Sequence, residues 1–294
     1  MLMWATLAPL TAASGGLPPM QLLAATFGVA FVCGVLWLLG TGGPARLQLL
    51  RQPVRYWLFA GAALFGYHAL YFLALRLAPP AQANLINYLW PLLIVLLSAL
   101  SGAERLRAAH LAGAAMGLSG TALLILSRDA GGSGTNPPLG WLAALGCALI
   151  WSTYSVFNRR FREVPSEAMV GVCGLVAVLG LIVHGLLDAE TVRPRPAQWL
   201  AILGLGLGPV GLAFLAWDYG TKHGRLGLLG ALSYAAPVLS TMLLVVFGYA
   251  PATWSLLVAC LLVVGGAWIA TRRTVTTDSA LQTPVDRPKD RLSG

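Results

Sequence analysis

Asn87-Tyr88-Leu89-Trp90-Pro91-Leu92 returns 146 residues later as Ser233-Tyr234-Ala235-Ala236-Pro237-Val238. Tyr71 through Leu77 lines up at the same offset with Trp217 through His223, so that Arg76-Leu77 meets Lys222-His223. Leu2-Met3-Trp4-Ala5-Thr6-Leu7-Ala8 lines up with Leu149-Ile150-Trp151-Ser152-Thr153-Tyr154-Ser155, 147 residues on. A chain duplicated within itself and hydrophobic throughout has the pattern of a transporter built from two related halves.

Composition sets the solvent. Hydrophobic residues make up 57% of the 294 and charged residues 10%, with a mean hydropathy of +0.76. Soluble domains carry about 25% charge, so most of this surface faces lipid, and the chain reads as an all-α polytopic membrane protein. A net charge of +9 does not signal nucleic acid, because the basic residues lie scattered in short loops rather than on one face. Cys33, Cys147, Cys173 and Cys260 all sit in apolar runs without CxxC or Cys/His spacing, which excludes a disulfide frame or zinc site and leaves buried thiols. No nucleophile elbow, HExxH, P-loop or metal-ligand cluster is present, so neither an enzyme nor a cofactor is expected.

A spanning helix needs about 20 apolar residues, and nine segments supply them: 19–39, 56–77, 82–100, 108–127, 139–158, 166–187, 197–217, 226–247 and 252–271. A tenth, residues 1–14, is uncharged but short, and by symmetry with 139–158 the sequence is expected to begin inside that helix. Ten spans divide into a first repeat at 1–127, a connecting loop at 128–138 and a second repeat at 139–273, followed by a polar tail at 274–294 expected to be disordered in the cytoplasm. Five is odd, so the second repeat enters the membrane from the opposite side and the repeats are inverted. With the N-terminus inside, 15 of the 19 Lys and Arg residues fall in cytoplasmic segments and four (Arg76, Arg128, Arg193 and Arg195) outside, which puts both termini in the cytoplasm. Trp37, Trp57, Trp141, Trp199, Trp217, Trp254 and Trp268 fall near span ends and read as interfacial belts.

Trp4, Trp90 and Trp151 lie mid-span and need another reason. Polar and aromatic residues at depth cost free energy unless they face partners or a cavity. Tyr67 and Tyr71 share a face with His68 beside them; Asn84, Asn87, Tyr88 and Pro91 form a stripe flanked by Trp90. Trp151, Tyr154, Ser155 and Asn158 repeat the pattern, as do Gly230, Ser233, Tyr234 and Pro237. Such stripes also glue helices together, but their coincidence with the repeat favours a central cavity. The candidate substrate-binding set is Trp4, Tyr67, His68, Tyr71, Asn84, Asn87, Tyr88, Trp90, Trp151, Tyr154, Ser155 and Tyr234. Pro91 and Pro237 are candidate helix breaks, and the symmetry-related Arg76 and Lys222 candidate gate residues at the outer and inner mouths. No charge is expected at depth: Asp218 and Lys222 read as an interfacial i,i+4 ion pair, and His68 is the sole side chain near the centre that ordinarily titrates near neutrality. His184 reads as a structural histidine.

Ten helices in five-plus-five repeats, a Trp-Ala/Ser-Thr motif opening each half and a Tyr-x-x-Pro element in the fourth and ninth spans resemble the drug/metabolite transporter superfamily, EamA type. Tyr67-His68-x-x-Tyr71, Asn84-x-x-Asn87-Tyr88-x-Trp90-Pro91 and Trp151-Ser152-Thr153-Tyr154 resemble the aromatic amino-acid exporters within it. The resemblance implies a bacterial inner-membrane protein whose cavity, among spans 1, 3, 4, 6, 8 and 9, exports aromatic amino acids or similar small metabolites by alternating access. Tryptophans and tyrosines offer stacking and cation–π faces, and Asn84 and Asn87 could orient a zwitterion. The same cavity would accept aromatic organic cations, so multidrug-type efflux is the alternative; a non-transporting membrane scaffold lacks support in any motif. The expected partners are thus a small molecule and the lipid bilayer, without nucleic acid. The sequence does not set an oligomeric state.

Overall fold

A backbone in hydrocarbon has no water to bond, so an apolar run folds into the one structure that satisfies its amides internally. The computed structural model describes residues 1–78, 80–101, 108–126, 136–187, 190–246 and 253–271, and every regular element among them is helical. The tail at 274–294 and most of the connecting loop at 128–138 lie outside the described residues. In chain order the helices are α1 (Leu2–Ala5), α2 (Leu7–Ala13), α3 (Pro19–Gly42), α4 (Val54–Leu77), α5 (Pro80–Asn87), α6 (Trp90–Leu100) and α7 (Ala108–Leu126). The second half continues with α8 (Pro137–Phe157), α9 (Ala168–Leu187), α10 (Pro196–Leu205), α11 (Ala213–His223), α12 (Leu226–Ser233), α13 (Ala235–Val246) and α14 (Trp254–Thr271). Five stretches are long and apolar enough to cross a bilayer: Pro19–Gly42, Val54–Leu77, Pro137–Phe161, Ala168–Leu187 and Pro196–His223.

Three of the remaining apolar segments are interrupted, and the long stretch Pro196–His223 is distorted part-way, whereas α7 and α14 run unbroken; the interruptions share one cause. The breaks fall at Thr6, at Tyr88–Leu89 and at Tyr234, and a wide π turn at Gly206–Leu212 joins α10 to α11. A proline stands three residues after the start of each: Pro9, Pro91, Pro237 and Pro209. Proline cannot donate to the carbonyl four residues back, and its ring crowds that turn. The sequence pattern predicts unbroken helices over 82–100 and 226–247; the structure divides both. The first break keeps most of its backbone bonds, with Tyr88 N donating to Asn84 O at 2.8 Å, Leu89 N to Ile86 O at 3.1 Å and Leu93 N to Leu89 O at 2.9 Å.

Ends are set by local chemistry. Gly16 (φ +87°) and Gly43 (φ +65°) occupy the left-handed region that side chains avoid, one before α3 and one closing it through a bond from its N–H to Leu39 O. Asn136 caps α8 with Pro137 at its first position.

The two halves interlock in reciprocal pairs. α3 lies on α9, α6 on α12 and α7 on α14; α4 lies on α8, as α10 lies on α2. Exchanging residues of one half for those 146–147 away in the other returns α3 on α9 and α7 on α14 to themselves and turns α4 on α8 into α10 on α2; α6 on α12 departs from this symmetry. Glycine permits the closest approach: a Cβ at Gly266 would stand 2.7 Å from the carbonyl oxygen of Gly113, and one at Gly230 2.7 Å from that of Pro91. Gly265, one position away, would meet only the flexible tip of Met116 at 3.3 Å.

Alanine in a helix ordinarily gains up to about 1 kcal/mol over glycine, so the sign of a Gly→Ala change reads out the clash. Gly265→Ala is expected to leave the thermal midpoint of detergent-solubilised protein unchanged or raised. Gly266→Ala must push two backbones apart and is expected to lower it, by about 1–3 kcal/mol of stability. Equal midpoints for the two variants would refute the α7–α14 contact.

Candidate functional site

The helix breaks bring aromatic side chains to the middle of the bundle. Trp4 on α1, Trp90 at the first turn of α6, Trp151 on α8 and Trp217 on α11 form a four-membered tryptophan cluster. Trp4 stands 6.4 Å from Trp90, 6.1 Å from Trp151 and 5.1 Å from Trp217 between ring centroids. Trp90 meets Trp151 at 6.4 Å and Trp217 at 5.6 Å, both edge to face, while Trp151 stacks on Trp217 at 6.0 Å and 22°. Phe214 closes one side, 5.6 Å from Trp151 and 6.2 Å from Trp4. Edge-to-face and offset pairs at these distances are worth about 0.5–1.5 kcal/mol each.

Hydrogen bonds fix two of the indoles. Nε1 of Trp4 donates to Pro209 O at 3.0 Å, a carbonyl inside the wide turn that Pro209 itself creates. Nε1 of Trp217 donates to Ser155 Oγ at 3.0 Å, and that hydroxyl donates to Trp151 O at 2.7 Å.

A polar ladder extends from the cluster along α4 and α5. Tyr67 lies 5.4 Å from Trp151, and Tyr67 and Tyr71 stack in parallel at 6.1 Å. Asn87 Nδ2 donates to the Tyr67 hydroxyl at 3.2 Å, and the Tyr71 hydroxyl donates to Asn84 Oδ1 at 2.6 Å. His68 is held from behind: its Nδ1 lies 2.7 Å from Leu64 O, which can only accept, so Nδ1 carries the proton. Its ring meets Phe27 at 5.1 Å and Phe214 at 6.1 Å. In the other direction Trp151 leads to Tyr154 at 5.4 Å, which lies 5.4 Å from Phe59.

Of the residues expected from sequence, Trp4, Tyr67, His68, Tyr71, Asn84, Asn87, Trp90, Trp151, Tyr154 and Ser155 thus converge on one axis. Tyr88 sits in the turn between α5 and α6, with Pro91 buried just beyond it. Tyr234 goes elsewhere: it packs with Val95, Ala114, Val238, Ala259 and Val263, where Gly117 leaves room for its ring. Pro237 lies in the first turn of α13. Arg76 is exposed at the end of α4, whereas Lys222 is buried.

Two sequence expectations are corrected. Trp217 is not in an interfacial belt; it is buried in the cluster, because α11 continues to His223 and carries it a turn and a half inside the helix end. The Asp218–Lys222 pair exists, with Nζ 2.7 Å from Oδ2, but both side chains are fully buried rather than interfacial. Phe214 also escaped the sequence reading. The repeat would have found both rings, since Tyr71 and His68 fall 146 residues before Trp217 and Phe214.

The EamA-like transporter family model matches residues 1–126 and 138–272, nearly the whole chain. The chain belongs to that family. Its members are polytopic membrane transporters rather than enzymes. The aromatic amino acid exporter YddG of Ancylobacter novellus is 52% identical over 92% of this chain and 93% of its own length. The aromatic amino acid exporter YddG of Escherichia coli is 28% identical over 92% and 94%. Among solved structures, one crystal structure superposes with a TM-score of 0.86 at 50% identity, covering 92% of this chain and 93% of that one.

Ser155 supports the cluster through a single accepted bond. Ser155→Ala would strand the buried Trp217 N–H, at a cost of about 1–3 kcal/mol. Adding Trp217→Phe removes the stranded donor, so the double variant is expected to be less than additive in thermal unfolding. Strict additivity would deny the bond.

Proposed function

We propose that this transporter exports aromatic amino acids across the bacterial inner membrane, binding them at the tryptophan cluster between its two halves. One observation carries the reading: Trp4 and Trp90 come from the first half, Trp151 and Trp217 from the second, and all four meet at the centre. A ligand ring inserted there touches both halves at once, so its binding energy is felt by any motion that changes their relative position. The names of the relatives from Ancylobacter novellus and Escherichia coli support the substrate class.

The architecture we infer is ten spans, α1–α2, α3, α4, α5–α6 and α7, then α8, α9, α10–α11, α12–α13 and α14, in inverted repeats of five with both termini cytoplasmic. Reciprocal helix pairing and the division of the family match near residues 127–137 support this arrangement. Alternating access follows from it: the half-helices beyond Pro91 and Pro237 open opposite mouths by bending at breaks that already exist. The rings fill the centre in the state described, so a substrate must shift one of them. Trp4 is the best placed, on a helix of four residues that ends at Thr6.

Counterflow of labelled tryptophan in proteoliposomes tests the function. Purified wild type should exchange tryptophan, and excess phenylalanine should compete better than an aromatic organic cation; the reverse order would favour multidrug-type efflux. Trp90→Ala and Trp151→Ala remove a stacking wall worth about 1 kcal/mol or more. Each is expected to cut exchange at sub-saturating tryptophan at least about fivefold while the protein stays monodisperse. Wild-type exchange by both variants would remove the cluster from the binding site.

A further inference from the structure

Stacked tryptophans account for a ring, yet an amino acid also carries an ammonium and a carboxylate, each of which pays heavily to leave water. Among the described residues one carboxylate and one ammonium are fully buried, those of Asp218 and Lys222. They follow Trp217 on α11, Asp218 directly and Lys222 four residues later, so the charges lie within about one and a half helical turns of the ring cluster. Asn158 Nδ2 donates to Asp218 Oδ1 at 2.9 Å and to Thr221 Oγ1 at 3.0 Å. Lys222 Nζ donates to Val164 O at 2.9 Å and stands 5.3 Å from the Tyr56 ring centroid.

The cluster holds more polar capacity than its own contacts use. Asp218 Oδ2 faces the Lys222 ammonium, and the Tyr154 hydroxyl reaches the same carboxylate. The hydroxyl of Tyr56 and Oδ1 of Asn158 have no hydrogen-bond partner among the described residues, and Tyr56 lies within electrostatic reach of Asp218. Tyr154 also touches Trp151. Unfilled buried donors and acceptors are costly, and a pair serving only to seal the bundle would gain nothing from gathering them.

We propose that Asp218 and Lys222 form the headgroup subsite for a zwitterionic aromatic substrate. The substrate ammonium takes Asp218, its carboxylate takes Lys222 with the tyrosine hydroxyls, and its ring stays against Trp151 and Trp217. One internal ion pair becomes two pairs with the ligand, so no charge is stranded in either state. In the absence of substrate the two residues neutralise one another. The proposal rests on the reading of the protein as an aromatic amino-acid exporter and adds how the non-aromatic end is recognised.

The experiment uses three ligands that share one ring: tryptophan, tryptamine without the carboxylate, and indole-3-propionate without the ammonium. Exchange of labelled tryptophan by wild type tests the exporter reading by itself, and its absence would sink that reading independently of the subsite. In wild type, tryptamine and indole-3-propionate should each inhibit this exchange about tenfold less well than unlabelled tryptophan. Lys222→Gln should lose about tenfold in tryptophan affinity, leave tryptamine inhibition unchanged and so erase the tryptamine penalty. Asp218→Asn should do the same for indole-3-propionate. If a single variant fails to fold because it strands a buried charge, Asp218→Asn with Lys222→Gln removes both charges and should bind all three ligands alike. The proposal is overturned if wild type does not rank the ligands, if a single variant weakens all three equally, or if the double variant keeps the wild-type ranking.

Discussion

Prolines at the same distance past four helix interruptions are the constraint on which the rest of this structure depends. In water a broken helix costs little, because solvent takes up the freed groups; in hydrocarbon it must be compensated by protein. Pro9, Pro91, Pro209 and Pro237 each prevent one turn from closing, and two of the turns so opened, at Tyr88–Leu89 and Gly206–Leu212, adjoin the tryptophan cluster. The wide turn at Gly206–Leu212 presents Pro209 O to the Trp4 indole. The break at Tyr88–Leu89 starts α6 at Trp90 and aims that ring inward. Part of the aromatic cluster is therefore a consequence of the breaks: an unbroken bundle would offer the Trp4 indole no free carbonyl, whereas Trp217 is satisfied by the Ser155 hydroxyl. In the proposed transport cycle the same breaks serve as hinges, so binding and movement would share one cause.

Magnitudes favour a site that moves over one that is merely glued. An edge-to-face pair contributes about 1 kcal/mol, so shifting one ring away from a few neighbours costs little more than an incoming ring returns. Backbone contacts such as Gly266 on Gly113 and Gly230 on Pro91 cannot yield by degrees, because the opposing atoms are main chain. The bundle thus joins stiff seams, α7 on α14 and α6 crossing α12, to a soft aromatic centre.

Much of this was legible in the sequence, for a physical reason in each case. Hydropathy gave the helices because lipid leaves little choice of backbone, and the 146-residue repeat placed Trp4, Trp90 and Trp151 on the cluster. What failed was depth. Trp217 read as interfacial because two charged residues follow within five positions, and charge ordinarily marks a span's end. That rule assumes charges reach water, and Asp218 and Lys222 instead satisfy each other. Tyr234 failed differently. Symmetry with Tyr88 suggested an inward ring, but orientation at a break depends on which neighbour is small, and Gly117 offers the room. Sequence spacing cannot weigh a contact with a glycine more than a hundred residues away.

The departure from symmetry is as informative as the symmetry. Asp218 and Lys222 correspond to Phe72 and Arg76 in the first half. Phe72 packs on Tyr71, and Arg76 is exposed, with no carboxylate one turn before it. Duplicated halves that bind nothing polar have no reason to diverge at this pair. A carrier whose ligand has one apolar end and one charged end does, because a ligand without two-fold symmetry cannot be matched by a symmetric site. The first half offers the Tyr67, Tyr71, Asn84 and Asn87 ladder, which satisfies itself through uncharged bonds. The second offers buried charges and unfilled hydroxyls. In the proposed export route a path through the centre runs from a charged end to a neutral polar one, and a zwitterion held at the first would lose its charge partners as it moves toward the second. On that proposal the gradient would keep the substrate from resting too tightly at the far mouth, where it has to leave.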